Sequence, residues 1–291
     1  MYARFFGLRE RPFDLRPDPS FLYLAERHAM ALTMLEYGLS GQDGFVVITG
    51  EVGSGKTTLL RHVLGRLDES TEVGLVSCTH ESFENLMPWV LLAFGLDYKG
   101  KSAPELYDTF TTFAIEQFAA GRRVVLLVDE AQNLSARTLE ELRLLSNLNA
   151  DRSQVVHVAL IGQPELRTTL ARHDLRQFRQ RISVAFHLEP LTRAETGGYI
   201  AHRLEVAGGT GSLFTPDAVD EVFAASGGIP RLVNLICDTA LVYAYAEQQR
   251  AVDAGTVAQV VQDRRDTQLL PLADREAAGP PPAAASIAAP P

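Results

Sequence analysis

The stretch Gly50-Glu51-Val52-Gly53-Ser54-Gly55-Lys56-Thr57-Thr58 constrains this chain more than any other. It has the form G-x-x-x-x-G-K-[ST]. Before it, Phe45-Val46-Val47-Ile48-Thr49 is apolar and β-branched, the composition of a buried strand. After it, Thr57 to Leu64 carries apolar residues at helical spacing. A strand, a glycine loop and a helix start, in that order, are the setting that gives the pattern meaning. Gly50, Gly53 and Gly55 permit backbone conformations that a Cβ forbids, so consecutive N–H groups can converge on one phosphate. The helix start adds partial positive charge. In such a loop Lys56 reaches the β- and γ-phosphates, the Thr57 hydroxyl can ligate Mg²⁺, and Glu51, Val52, Ser54 and Thr58 complete the cradle. The lysines of the chain are Lys56, Lys99 and Lys101, against many arginines, which makes a lysine at position 56 more telling.

A second landmark follows about 70 residues later. Val124-Val125-Leu126-Leu127-Val128 reads as a strand buried on both faces, as in a parallel sheet. It ends in Asp129-Glu130 at its carboxyl end, where α/β sheets place their ligands. This is the Walker B pattern: Asp129 would hold Mg²⁺ through water, and Glu130 would orient and polarise an attacking water. Ala131-Gln132-Asn133-Leu134 leads into a helix from Ser135 to about Leu148. Val155 to Ile161 reads as another apolar strand, and Gln163 stands where a strand end would bring a polar side chain to the γ-phosphate, or alternatively caps the next helix. The arginines at 172, 176, 179 and 181 form a run whose default reading is a solvated basic face. Ser183 to Leu188 alternates and reads as a fifth strand.

The rest of the α/β region is coarser. Residues 1–24 are rich in Phe, Pro and Arg and read as an extended arm, packed on the core or covering a bound base. Helices are expected over 25–39, 81–94 and 103–120, the last with the capping box Ser102-x-x-Glu105. Leu106, Phe110, Phe113, Ile115 and Phe118 are assigned to its buried face, and Trp89 to the core. From Thr192 the pattern is helical only, with helices near 193–206, 216–225, 230–248 and 254–264. The division is thus an arm (1–24), an α/β domain (25–190), a helical domain (191–265) and a Pro/Ala-rich tail (266–291) that cannot bury a core and should be disordered.

Composition narrows the partners. The net charge of −9 argues against a strong non-specific nucleic-acid surface. Cys78 and Cys237 lie in apolar runs and read as buried reduced thiols, and no zinc-binding spacing accompanies them. No apolar run is long enough to span a bilayer, and the first residues do not form a signal peptide. The chain is therefore expected in the cytoplasm, or peripheral at the inner membrane through a partner.

The order of these features resembles the AAA+ ATPases: a P-loop domain with helices on both faces of a five-stranded parallel sheet, then a small helical lid. The segments Phe6-Gly7-Leu8, Tyr37-Gly38-Leu39, Asp129-Glu130-Ala131-Gln132-Asn133-Leu134, Leu160-Ile161-Gly162-Gln163-Pro164-Glu165-Leu166, Arg179-Gln180-Arg181-Ile182 and Gly228-Ile229-Pro230-Arg231 are similar to the ExeA or general-secretion-pathway-protein-A family. That family belongs to the ORC1-like branch, and its relatives associated with exosortase and exopolysaccharide export look the same. The resemblance covers about residues 1–265. It implies that Gln163 is sensor 1, Arg181 an arginine finger inserted into a neighbouring subunit's site with Arg179 as runner-up, and Arg231 sensor 2.

It further implies an ATP- and Mg²⁺-dependent homo-oligomeric ATPase, with ATP between the α/β domain and the lid. This ATPase would drive assembly of an envelope export system through a partner protein at the inner membrane. Some secretion-system relatives continue into a membrane span and a peptidoglycan-binding domain. The tail here favours the exopolysaccharide or exosortase-associated type, or a shorter paralogue. The rival expectations are a DNA-associated regulator of the same branch and a nucleotide-gated scaffold with little turnover.

Overall fold

The structure, a computed structural model, describes residues 1–40, 44–68, 70–78, 85–146, 148–150 and 153–267. The chain divides into two compact units, Leu15–Pro190 and the combination of Met1–Asp14 with the chain from Leu191.

In the first unit the apolar runs become one sheet. Its strands are β1 (Phe45–Gly50), β2 (Thr71–Ser77), β3 (Arg123–Asp129), β4 (Val156–Gly162) and β5 (Ile182–Leu188), in the order β2-β3-β4-β1-β5. Every pairing is parallel. β1 and β4 are buried along their whole length. Alternate residues of each serve opposite faces, so runs without polar alternation are what these positions require. One face packs Val46, Ile48, Leu127 and Ile161 against α1 (Glu26–Ser40) and α2 (Lys56–Leu64). The other packs Val47, Leu126 and Leu160 against α3 (Met87–Ala93), α4 (Ala103–Ala119), α5 (Ala136–Leu145), α6 (Glu165–Leu170) and α7 (Arg176–Arg179). Each fully buried Leu, Ile or Phe there contributes roughly 1.5–3 kcal/mol.

Local signals set the helix ends. Ser102 N–H donates to Glu105 Oε2 at 2.7 Å in the capping box of α4. The buried stripe of α4 is Leu106, Phe110, Ala114 and Gln117. Ile115, expected on that face, is 49% exposed, one position round the helix from Ala114. Trp89, expected in the core, is also 49% exposed. It lies on α3, a short helix that turns Met87, Val90 and Leu91 inward and leaves Trp89 and Leu92 outward. α3 begins at Met87 rather than 81, and residues 79–84 lie outside those described.

The second unit is helical: α8 (Arg193–Val206), α9 (Pro216–Ser226), α10 (Pro230–Ala246) and α11 (Ala254–Thr267). Thr192 and Thr215 cap the first two of these through their hydroxyls. Ile200, Leu204, Val222, Val233, Ile236, Leu241, Val257 and Val260 are buried in it. The expected 1–24 arm is divided between the units. Its first part, with the helical turn Tyr2–Phe5, is tied to the helical unit by Arg11 to Asp238 at 2.6 Å, by the Tyr2 hydroxyl to the same carboxylate, and by the Phe13 ring against Phe214. Cys78 and Cys237 are both free and buried. Among the described residues no helix is long and apolar enough to cross a membrane. The Pro/Ala-rich tail lies, from residue 268, outside the described residues.

Candidate functional site

β1 runs directly into the glycine loop, and α2 begins at Lys56. Gly53 and Gly55 hold φ of 83° and 100°, left-handed values that side chains avoid. Gly55 is the N-cap of α2, so the loop conformation and the helix start are one feature. Behind the loop, His28 from α1 places Nε2 3.0 Å from the Ser54 carbonyl. The Ser54 hydroxyl is buried and has no hydrogen-bond partner among the described residues. Lys56 is only 8% exposed, and its ammonium donates to the carbonyls of Gly50 at 2.7 Å and Glu51 at 2.8 Å. Desolvation pushes its pKa down, against the raising influence of Glu130 and Asp129.

The acids arrive from β3. Asp129 is also 8% exposed. Its Oδ1 accepts the Glu130 N–H at 3.0 Å, and its Oδ2 lies 3.4 Å from the Thr57 hydroxyl that donates to it. Burial pushes the Asp129 carboxyl above the usual carboxylate range, with the Glu130 charge adding to this; the Glu130 N–H, Thr57 and Lys56 oppose the shift. Glu130 sits at φ 54°, ψ 38°, a left-handed conformation that is strained for a residue with a Cβ. The chain then makes a single turn, Ala131–Asn133. Two amides of that turn fasten it. Asn133 Nδ2 donates to the Cys78 carbonyl at 2.6 Å, on the β2 side. Gln132 Nε2 donates to Glu130 Oε2 at 2.6 Å, while Gln132 Oε1 accepts the backbone N–H of Gln163 at 3.0 Å, on the β4 side. Gln163 Nε2 donates to the same Glu130 oxygen at 3.3 Å.

Thr57, Asp129, Glu130 and Gln163 thus form one hydrogen-bonded line at the carboxyl ends of β3 and β4, beside the Lys56 loop at the end of β1. Arg181 is not part of it. Its carbonyl accepts the Phe45 N–H at 2.7 Å, at the amino edge of β5 and β1. A strand of this length separates the two edges by about 20 Å. Arg181, exposed, lines an open polar cleft of about 680 Å³ with Gly44, Arg143, Gln154, Gln177 and Ser183. Arg179 donates to the Ala171 carbonyl at 3.1 Å. Arg231 is exposed in the first turn of α10, in the helical unit.

Two residues at this site carried no expectation from the sequence. His28 occupies the buried stripe Ala25, His28, Leu32, Leu35, Leu39, where a single polar residue among apolar ones was the available signal. Gln132 was marked only by two adjacent amides placed one residue after two acids.

A glycine loop capping a helix, with paired acids at the carboxyl end of a five-stranded parallel sheet, defines a P-loop nucleotide-binding protein. Residues 39–170 match the family model described as AAA domain. The chain is, more particularly, a homologue of general secretion pathway protein A: it is 44% identical over 258 residues to that protein from Aeromonas hydrophila. The match takes in 88% of this chain and 47% of the relative, so the chain spans about half the relative's length. Among solved structures it is similar to the Aeropyrum pernix ORC2 protein in its ADPNP–ADP complexes, at 17% identity and TM-score 0.67, over 90% of this chain and 75% of that one. The Cdc6p protein of Pyrobaculum aerophilum aligns at 16% identity and TM-score 0.65, over 87% and 74%. The Aeropyrum pernix ORC1 protein in complex with DNA aligns at 19% and 0.61, over 91% and 73%. At such identities these three likenesses establish the fold.

Proposed function

We propose that this chain binds and hydrolyses ATP with Mg²⁺ and couples the cycle to assembly of a bacterial envelope secretion system. The observation that carries the proposal is the hydrogen-bonded line Thr57–Asp129–Glu130–Gln163 beside a buried Lys56. The donor set fits a hard cation: the Thr57 hydroxyl and an Asp129 carboxylate oxygen stand 3.4 Å apart. Mg²⁺ held there would neutralise phosphate charge. Lys56 brings a fixed positive charge to the β- and γ-phosphates, and the loop N–H groups of residues 50–58 supply donors. Glu130 orients the attacking water and accepts its proton. Gln163, which donates to Glu130, would contact the γ-phosphate.

Arg181 stands at the wrong edge of its own sheet to reach its own loop. Its role as a finger therefore requires a second copy of the chain, with Arg179 the alternative, and Arg231 is the proposed phosphate-sensing arginine of the helical unit. The secretion reading comes from the name of the Aeromonas relative and implies a partner in the envelope export system; the exopolysaccharide attribution gains no support from that relative. A DNA-associated role is the second reading, drawn from the ORC1 complex with DNA, and the net charge of −9 weighs against it.

Titration calorimetry with Mg·ATP tests the proposal. Wild type should bind, and Lys56→Ala should bind about 100-fold more weakly or worse. A Lys56→Ala chain that binds like wild type would remove the loop from the account.

A further inference from the structure

The turn after β3 holds more than the two acids. Glu130 adopts a left-handed backbone conformation, and the chain reverses so that the next side chain but one folds back over the same carboxylate. Gln132 uses both ends of its amide there. The nitrogen donates to Glu130 Oε2, and the oxygen accepts the main-chain N–H of Gln163. The space is made by Gly162, the last residue of β4: a Cβ at that position would stand 3.0 Å from Gln132 Oε1 and 3.2 Å from Gln132 N. On the other side, Asn133 holds the turn to β2. The turn is therefore fastened to both neighbouring strands, and among the described residues its link to the carboxylate runs through Gln132.

This arrangement gives Glu130 a direction. Oε2 receives two amide donors, from Gln132 and Gln163, and its sister Oε1 receives none among the described residues. A carboxylate held by one oxygen cannot rotate freely about its side chain. The other oxygen is then the one left to accept a proton from water. We infer that Gln132 is a positioning residue for hydrolysis: it fixes the Glu130 carboxylate against the end of β4 so that Oε1 faces the attacking water. The inference rests on the ATPase reading above and adds a residue to it. In this role Gln132 acts through the Glu130 carboxylate and the Gln163 main chain that it holds together.

The discriminating substitution is Gln132→Met. Methionine keeps the length and volume of glutamine and removes both hydrogen bonds. Steady-state kinetics should show kcat reduced roughly 10- to 100-fold, the cost of a reacting group displaced by a fraction of its length, with KM and the calorimetric Kd for Mg·ATP unchanged. In a Glu130→Gln background the further change to Met should have no additional effect on the residual rate, because both substitutions act on one unit. A purely structural role would instead move Tm and Kd and add to the effect of Glu130→Gln. Wild-type turnover with an unchanged kcat in Gln132→Met overturns the inference and leaves the ATPase reading standing. Absence of turnover in the wild type overturns both.

Discussion

The two ends of the sheet treat charge in opposite ways. At the carboxyl end Lys56 and Asp129 are each 8% exposed, and both are pushed by burial toward their neutral forms. At the amino end Arg181 is exposed beside an open polar cleft, with no hydrogen bond or ion pair to its guanidinium among the described residues. Burying a charge is costly unless it gains a partner, so the first arrangement makes sense only where a ligand of opposite charge will complete it. An exposed arginine costs its own chain almost nothing and remains available to something else. Under the proposed function this becomes a division of labour: one copy would supply the loop and acids from one end of its sheet, and the next copy would supply the arginine from the other end.

The largest effect should come from separating those ends. Arg181→Ala should lower kcat by about 10³-fold with little change in nucleotide affinity. Mixing that chain with Glu130→Gln, which keeps the arginine and lacks the base, should restore part of the activity. Restoration measured by phosphate release sharpens the division between copies. If the two inactive chains stay inactive together while Arg179→Ala behaves in the expected way, the finger is Arg179.

A smaller effect tests the burial half of the comparison near the amino end of the sheet, on the central strand β4. His157 on β4 is buried, and its Nδ1 has no hydrogen-bond partner among the described residues. Desolvation, then the charge of Arg123, holds its pKa below the ordinary 6.5. The folded state thus binds the proton less readily than the unfolded one. Stability should be complete above pH 6.5 and should fall as the pH drops from there toward the lowered folded value. His157→Leu should flatten that acid slope and move Tm at pH 5 up by a few degrees. A variant with the same acid slope as wild type would assign the slope to other groups.

Much of this was legible in the chain because short-range chemistry dictates it. The glycine loop, the apolar runs of β1, β3 and β4, the Ser102 and Thr192 capping boxes and Pro216 all act within a few residues, and each appears where its local signal stands. What escaped depends on partners distant in sequence. Trp89 and Ile115 are apolar enough for a core, and only the face that α3 and α4 turn to the sheet decides their exposure. The first residues pack through Asp238 and Phe214, more than 200 positions away, which no local pattern announces. Gln132 reads as an ordinary turn residue until the end of β4 is placed beside it.

The most direct test of the account's centre is single-turnover hydrolysis by Glu130→Gln beside wild type, at saturating Mg·ATP. The account predicts an unchanged Kd and a rate of phosphate release lowered by roughly 10²–10⁴-fold. Equal release from the two chains would contradict it, because the strained, doubly hydrogen-bonded carboxylate at the end of β3 would then have no part in the chemistry.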